Sequence, residues 1–400
     1  MQIATHPDTT SSIMQTEDAY LLRSYRKKEI ALARGEGCYV WDLEGNKYLD
    51  FYGGHCVTLL GHCPPPVVEA IQKQVGELMF YSTLVYSPAR AAATAELADF
   101  APDGMKTIFF CNSGTEANET ALKLARKHTG KPAIVAMEGD FHGRTLGSLS
   151  VTWDLHYREP YLSSMGPVHW SPFGDADALE KVVASNDDIA AVIVEPIQSM
   201  AGVTVAPPEF FQAMRRICDA HGVKLIFDEI QTGIGRTGKF SISEWLGMKP
   251  DMITLAKSLG SGVPVAATLV SDEIADAVEY GDQGTTFGGG MVAMAAASSS
   301  LKMLREENLM PRATWIYETL RDRITPGVAP HVVDFRGMGA LIGIEFDQPS
   351  GPIVKKLFEK GILVGGSGNP NTIRVMPALV AGEAEVTRFA DALLAVLGDS

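Results

Sequence analysis

Short apolar runs recur along the middle of the chain, each stopped by polar or charged residues. They occupy residues 107–111, 133–137, 190–194, 223–227, 252–256 and 266–270. Between several of them the apolar positions return at helical spacing, as at 208–221. Strands alternating with helices predict an α/β fold, a mostly parallel sheet with helices on both faces.

The flanks read differently. Residues 38–42 and 47–51 are β-prone and separated by Glu44-Gly45-Asn46, which predicts a hairpin. Residues 53–66 are loop-like. Val67, Val68, Ile71, Val75 and Leu78 predict a helix over 67–79, and 89–100 predicts another. After Gly290 the pattern predicts helices at 291–307 and 312–323, strands at 337–346, 362–364 and 372–376, and a closing helix at 383–397. The polar stretch 1–15 reads as a mobile arm.

A length of 400 residues favours two domains, with a boundary near residue 300. Apolar content of 46% and charged content of 20% are those of a globular chain. The net charge of −14 argues against general binding to nucleic acid or anionic membrane. It leaves a phosphate ligand open, because backbone amides hold one without basic residues. The five cysteines, Cys38, Cys56, Cys63, Cys111 and Cys218, are scattered and form no CxxC pair. Reduced thiols in a cytoplasmic protein, with no zinc site, are the expectation. The first residues lack a signal-peptide pattern, and no apolar run has the length of a membrane span.

Candidate chemistry gathers where the apolar runs stop. The run at 223–227 leads into Asp228, and the run at 252–256 into Lys257. If both are strands of one sheet, an acid and a lysine stand at its carboxyl edge, where α/β sheets bind ligands. A carboxylate beside a pyridine nitrogen keeps it protonated and makes the ring an electron sink. A lysine flanked by apolar residues is desolvated, which lowers its pKa and frees a nucleophile for Schiff-base formation. Each has an ordinary structural alternative, a strand-end cap for Asp228 and a snorkelling surface residue for Lys257.

The other stretches are individually ambiguous. In residues 111–130 (CNSGTEANETALKLARKHTG) the Ser113-x-x-Glu116 spacing suits a capping box. The Gly114, Thr115 and Glu116 amides would then face a phosphate or simply start a helix. In GDFHGRT, Phe141 suits either a stacked ring or the core. Arg144 suits either a carboxylate or a surface ion pair. Glu195 and Gln198 follow a strand, Glu195 reading as an acid that orients a loop. Gln231 lies close enough to Asp228 to reach a ring substituent, and Glu229 points the other way. The GTTFGGG stretch at 284–290 is either a turn or a second phosphate contact. Arg374, alone in an apolar strand, needs a carboxylate from protein or substrate.

Taken together, NSGTEANETALKLAR, FHGRT, VEPIQ, LIFDEIQTGIGRTGK, PDMITLAKSLG, TTFGG and RGMG resemble the class III aminotransferases, pyridoxal-phosphate enzymes of fold type I. The resemblance spans nearly the whole chain. FHGRT, TTFGG and the stretch around Arg374 are most similar to the acetylornithine and ornithine group, including relatives acting on carrier-bound aminoadipate semialdehyde. It implies a large pyridoxal-phosphate domain over 51–300 and a smaller α+β domain built from 1–50 and 301–400. It also implies transamination from a terminal amine to a 2-oxo acid such as 2-oxoglutarate, with arginine biosynthesis as the setting.

By position, the resemblance implies that Lys257 forms the internal aldimine and shuttles the proton, and that Asp228 pairs with the ring nitrogen. Gln231 would meet the ring hydroxyl and Phe141 would cover the ring. Ser113 lies at the cofactor, and Gly114 and Thr115 would hold the phosphate. Thr286 would reach the cofactor phosphate of a partner subunit, implying a homodimer with shared sites. Arg144 and Arg374 would bind substrate carboxylates.

Two departures stand out. Where the resembled enzymes read EPIQGE, this chain has Ser199-Met200, so the glutamate that pairs with the arginine matching Arg374 is missing. The segment YGGHCVT at 52–58 is also unlike their pattern, which places Tyr52 and His55, with Met200, in a different substrate pocket. A decarboxylating transaminase, an aminomutase and a non-catalytic cofactor-binding protein are the alternatives these departures raise.

Overall fold

The computed structural model describes residues 8–398. Strands β1 (Leu32–Glu36), β2 (Tyr39–Asp42) and β3 (Lys47–Asp50) form an antiparallel meander. The central region supplies β4 (Thr107–Cys111), β5 (Ala133–Met137), β6 (Val168–Ser171) and β7 (Ile189–Val194). A two-stranded ribbon, β8 (Ile197–Gln198) and β9 (Thr204–Val205), precedes β10 (Lys224–Asp228), β11 (Met252–Leu255) and β12 (Ala266–Val270). The C-terminal part adds β13 (Val332–Met338), β14 (Leu341–Phe346), β15 (Ile362–Leu363) and β16 (Thr372–Val375).

Seven strands form the main sheet in the order β4-β12-β11-β10-β7-β5-β6. Only β12 runs antiparallel to its neighbours, so the sheet is mostly parallel. Residues of β5 and β7 are buried throughout, which is why these strands read as unbroken apolar runs rather than alternating ones. The helix Gly114–Thr129 buries Ala117, Ala121, Leu122, Leu124 and Ala125. The helix Pro208–His221 buries Phe210, Phe211, Met214 and Ile217. Each presents one apolar stripe to its neighbours.

Topology then sets the site. Since β10 and β11 are parallel, with Asp228 opposite Thr254, their carboxyl ends lie at one edge. The chain leaves β4, β5 and β7 at that same edge, toward Ser113, Phe141 and Glu195. A second, four-stranded sheet, β1-β2-β3-β15, joins the N-terminal meander to the C-terminal part, with Ile362 beside Leu49. A third sheet, β13-β14-β16, carries Arg374 opposite Gly343.

Two expectations need correction, and one strand was not anticipated. Residues 337–346 are not one strand but parts of two, turning between Met338 and Leu341, which face each other across Gly339-Ala340. Of the polar stretch 1–15, residues 1–7 lie outside the described residues. Thr10–Tyr20 is a helix, capped by Thr9 and Ser12 in a reciprocal box. The short strand β6 was hidden because Val168–Ser171 mixes His169 and Trp170 into its run. No helix among the described residues is long and apolar enough to cross a membrane.

Candidate active site

At the carboxyl edge of the main sheet lies a cavity of about 330 Å³. Asp228, Gln231, Lys257, Phe141, Ser113, Gly114 and Thr115 all line it. The sheet therefore brings together the acid, the lysine, the aromatic residue and the helix start that the sequence singled out separately.

Asp228 is 4% exposed and tightly held. Its Oδ2 accepts from Asn118 Nδ2 at 2.7 Å and from His142 Nδ1 at 2.7 Å, and its Oδ1 from the Ile230 amide at 3.1 Å. His142 reaches Asp140 on its other side, Nε2 to Oδ2, at 3.2 Å. Burial alone would lower the His142 pKa, but hydrogen bonds and charge from Asp140 and Asp228 outweigh it and carry it up to about 10. His142 is thus a buried cation between two buried acids. Glu195 lies in the same cluster, and its pKa is pushed up by burial, then by the charges of Asp140 and Asp228. It accepts from the Phe141 amide at 2.6 Å and the Ser199 amide at 3.3 Å, so it orients the loops as expected. Glu229 turns away from the cavity and accepts from the Ile242 amide at 2.8 Å.

His142→Ala removes the cation between two acids and is expected to destabilise the fold by about 3–5 kcal/mol, measured by denaturant unfolding. The pH dependence has a definite sign. A histidine whose folded pKa lies above its unfolded value of about 6.5 stabilises fully below that value. Its contribution fades as pH rises through about 10. The melting temperature should fall over that window in the parent and less steeply in His142→Ala.

Lys257 follows β11 with φ of 46°. A single non-glycine residue in this region costs on the order of 1–3 kcal/mol and marks functional positions. The backbone then tightens into a 3₁₀ turn, Lys257–Gly260. Burial lowers the Lys257 pKa; Cys56, then the charges of Asp228 and Glu195, oppose this, and Arg374 reinforces it.

The helix Gly114–Thr129 also begins at this cavity. Ser113 caps it by accepting from the Glu116 amide at 3.4 Å, while the Glu116 carboxylate reaches back to the Asn112 amide at 3.0 Å. The Glu116 amide is therefore occupied, leaving those of Gly114 and Thr115 for an anion. A side chain at Gly114 would bring its Cβ within 2.6 Å of Ile230 Cδ1, so the Ile230 side chain would have to shift to admit it.

These residues fit pyridoxal phosphate. Open amides at a helix start suit the phosphate, and Asp228 suits the ring nitrogen. Lys257 suits the aldehyde, Phe141 offers a face, and Gln231 an amide.

Arg374, expected to bind a substrate carboxylate, is 2% exposed. Its Nε donates to the Gly366 carbonyl at 2.6 Å, Nη1 to Ser199 Oγ at 3.3 Å and Nη2 to Tyr52 Oη at 3.4 Å. All its partners are neutral oxygens; among the described residues it has no carboxylate. Tyr52 Oη bonds His55 Nδ1, and their rings meet edge-on at 5.1 Å. Burial, then the charges of Arg374 and Lys257, lower the His55 pKa to about 4, while burial raises that of Tyr52. A neutral His55 therefore accepts from the Tyr52 hydroxyl.

The loop bearing His55 is held by Asp50. Its carboxylate accepts from the Tyr52, Gly53 and Gly54 amides at 2.9–3.0 Å and from His62 Nε2 at 2.8 Å. Gly53, with φ of 60°, packs so closely that a Cβ would lie 2.6 Å from the Met376 carbonyl.

A second cavity of about 840 Å³ shares Phe141 with the first. Met200, Trp153, Leu155, Tyr157 and Gly368 line it. Arg144 is exposed and stacks its guanidinium 3.7 Å from the Tyr157 ring, without an ion pair among the described residues. Thr286 is exposed and does not line the first cavity; its neighbour Thr285 accepts from Asn112 Nδ2 at 3.4 Å.

Sequence reasoning missed Asn118, Asp140, His142, Asp50 and Ser199. His142 lay inside the FHGRT stretch and Asn118 one helical turn beyond Gly114, so both were in view. What was missing was the long-range partner, Asp228, that gives them a role.

A family profile described as aminotransferase class-III matches residues 20–397. The acetylornithine aminotransferase of Methanopyrus kandleri is 44% identical, over 94% of this chain and 98% of that one. A [LysW]-aminoadipate semialdehyde/glutamate semialdehyde transaminase of Sulfolobus acidocaldarius is 40% identical, over 90% of this chain and 92% of that one. Among solved structures, acetylornithine aminotransferase from Elizabethkingia anophelis superposes with a TM-score of 0.85 at 30% identity, covering 98% of this chain and 99% of that one. Ornithine aminotransferase from Toxoplasma gondii, described with partial occupancy of PLP at its active site, gives 0.90 at 29%, covering 98% and 95%. The chain belongs to the class-III aminotransferases, the pyridoxal-phosphate-dependent transaminases.

Proposed function

We propose that the enzyme moves the terminal amino group of an acylated, ornithine-like donor to a 2-oxo acid of the 2-oxoglutarate type. The donor leaves as an aldehyde and the acceptor as an amino acid. The observation that carries this reading is Arg374, buried with three neutral oxygens and no protein carboxylate among the described residues, one of those oxygens being the carbonyl of Gly366, which lines the second cavity. A buried cation of that kind calls for an anionic partner, and a dicarboxylate acceptor supplies one.

Bound pyridoxal phosphate would supply the electron sink for loss of a proton from the carbon bearing the amine. The chain's own residues do the rest. Lys257, with its pKa lowered, would hold the cofactor and serve as the base that moves that proton. Asp228, fixed by Asn118 and His142, would hold the charge of the ring nitrogen. The Gly114 and Thr115 amides would hold the phosphate, with Phe141 and Gln231 contributing a ring face and an amide donor. Arg374 receives the acceptor's distal carboxylate. Arg144, stacked on Tyr157 beside the second cavity, receives the donor's carboxylate, while Met200 gives that cavity an apolar wall for the acyl group.

Glutamate formed from N-acetylornithine and 2-oxoglutarate tests the reading, together with Arg374→Ala, which should raise KM for 2-oxoglutarate by on the order of 100-fold (about 2.7 kcal/mol). No carbon dioxide should be released. Release of carbon dioxide, or an unchanged KM, would sink it. Met200→Glu places a carboxylate next in sequence to the serine that contacts Arg374. It should raise KM for the acceptor about tenfold; an unchanged acceptor affinity would count against the assignment.

A cytoplasmic homodimer with shared sites is part of the proposal. Leu84, Tyr86 and Phe287 are 91%, 105% and 64% exposed, an apolar surface suited to a second copy. Thr286 stands on the same exposed segment as Phe287, and in the proposed dimer it would reach the partner's cofactor phosphate.

A further inference from the structure

We propose that Ser199 is a positioning residue that couples the carboxylate site at Arg374 to the cofactor ring through Gln231. Ser199 is fully buried, and its Oγ sits between Arg374 Nη1 at 3.3 Å and Gln231 Oε1 at 2.9 Å. Direction follows from chemistry. A guanidinium only donates, so the hydroxyl oxygen accepts from Arg374 and its proton goes to the Gln231 carbonyl oxygen. The Gln231 amide is thereby fixed in one orientation. Its Nε2 has no partner among the described residues, and the residue lines the cofactor cavity. Gln231 therefore presents a donor, not an acceptor, to the ring.

The pair Ser199-Met200 gives the coupling its meaning. The resemblance implies a glutamate at position 200 that pairs with the arginine matching Arg374, and this chain has Met200 there. Here the carboxylate is missing, and a hydroxyl at 199 takes one of the guanidinium's hydrogen bonds instead. That bond is neutral on the acceptor side and weaker than a bond to a carboxylate. A substrate carboxylate docking on Arg374 draws Nη1 away from Ser199. The Ser199 hydroxyl becomes a poorer donor to Gln231, because bonds in a chain polarise one another. The Gln231 N–H in turn becomes a poorer donor to the ring. Occupancy of the carboxylate site is thus read at the cofactor. Ser199 has no solvent to turn to, and its amide is tied to Glu195 Oε2 at 3.3 Å, so the hydroxyl cannot leave the chain cheaply.

This inference rests on the proposed contact between Gln231 and the ring, and the test separates the two. The holoenzyme is titrated with glutarate, an unreactive dicarboxylate, while visible absorbance is recorded; binding is checked independently as competitive inhibition against 2-oxoglutarate. The expected result is an absorbance shift in the parent that is lost in Ser199→Ala, although glutarate still inhibits, and restored in Ser199→Thr. The shift should also be lost in Gln231→Ala. A shift retained in Ser199→Ala but lost in Gln231→Ala overturns the relay and leaves Gln231 as the ring contact. A shift retained in both overturns the relay and the Gln231 assignment together. Absence of any shift in the parent despite inhibition also overturns the relay.

Discussion

Replacing Lys257 by alanine is expected to abolish transamination, with kcat falling by ~10⁴-fold, the upper range for a positioned proton-transfer group. The visible absorbance of the lysine-linked cofactor should disappear as well, because no other amine among the described residues lines the cavity. Two features of the site produce this. Burial lowers the Lys257 pKa, so the amine is available as a nucleophile and base. The left-handed backbone at Lys257 and the 3₁₀ turn behind it fix where the side chain leaves β11. The fold should survive, since alanine removes a partly desolvated amine and relieves no packing; circular dichroism and unfolding midpoints check this. Retained imine absorbance in Lys257→Ala would contradict the assignment.

Asp228→Asn is expected to lower kcat by ~10²–10³-fold, the range seen when one preorganised electrostatic partner is lost. The lysine-linked absorbance should persist, because Lys257 is untouched. The change is nearly isosteric, but it removes the charge proposed to meet the ring nitrogen. It also confronts an amide with the Asn118 and His142 donors, which both meet the same Asp228 oxygen. Single-turnover kinetics with a saturating donor would show a slowed chemical step with donor affinity little changed. A loss confined to KM would mean that Asp228 serves binding rather than electron withdrawal.

The two variants also show which parts of the site could be read from the chain. Asp228 and Lys257 were legible because each ends an apolar run, and β10 and β11 are parallel neighbours with ends at one edge. Strand positions were legible for the same reason: buried strands of a parallel sheet are unbroken apolar runs. The hairpin of β13 and β14 was not, because both arms and the Gly339-Ala340 turn look like one apolar stretch in one dimension. His142 and Asn118 were visible as residues but not as parts of the site. Their role depends on Asp228, separated from Asn118 by 110 positions and from His142 by 86. Asp50 likewise looked like the end of a hairpin strand, although its carboxylate holds the Tyr52–Gly54 backbone. The Glu116 amide, expected to face a phosphate, is taken by Ser113. Capping and anion binding compete for the same donors, and spacing alone does not say which wins.

Arg374 marks a different kind of legibility. Its need for a carboxylate was evident from an arginine in an apolar strand. Only the structure shows that its partners are Gly366, Ser199 and Tyr52, all neutral. The Tyr52–His55 pair extends that neutral shell, since a His55 pKa of about 4 keeps the ring uncharged at physiological pH.

The half-reaction of the holoenzyme with N-acetylornithine in the absence of any acceptor tests the central claim most directly. The visible absorbance of the lysine-linked cofactor should bleach as the donor aldehyde appears in one equivalent per site, and 2-oxoglutarate should restore it with formation of glutamate. Absorbance that stays unchanged across a panel of acylated ω-amines, or that returns without any oxo acid, would contradict the account.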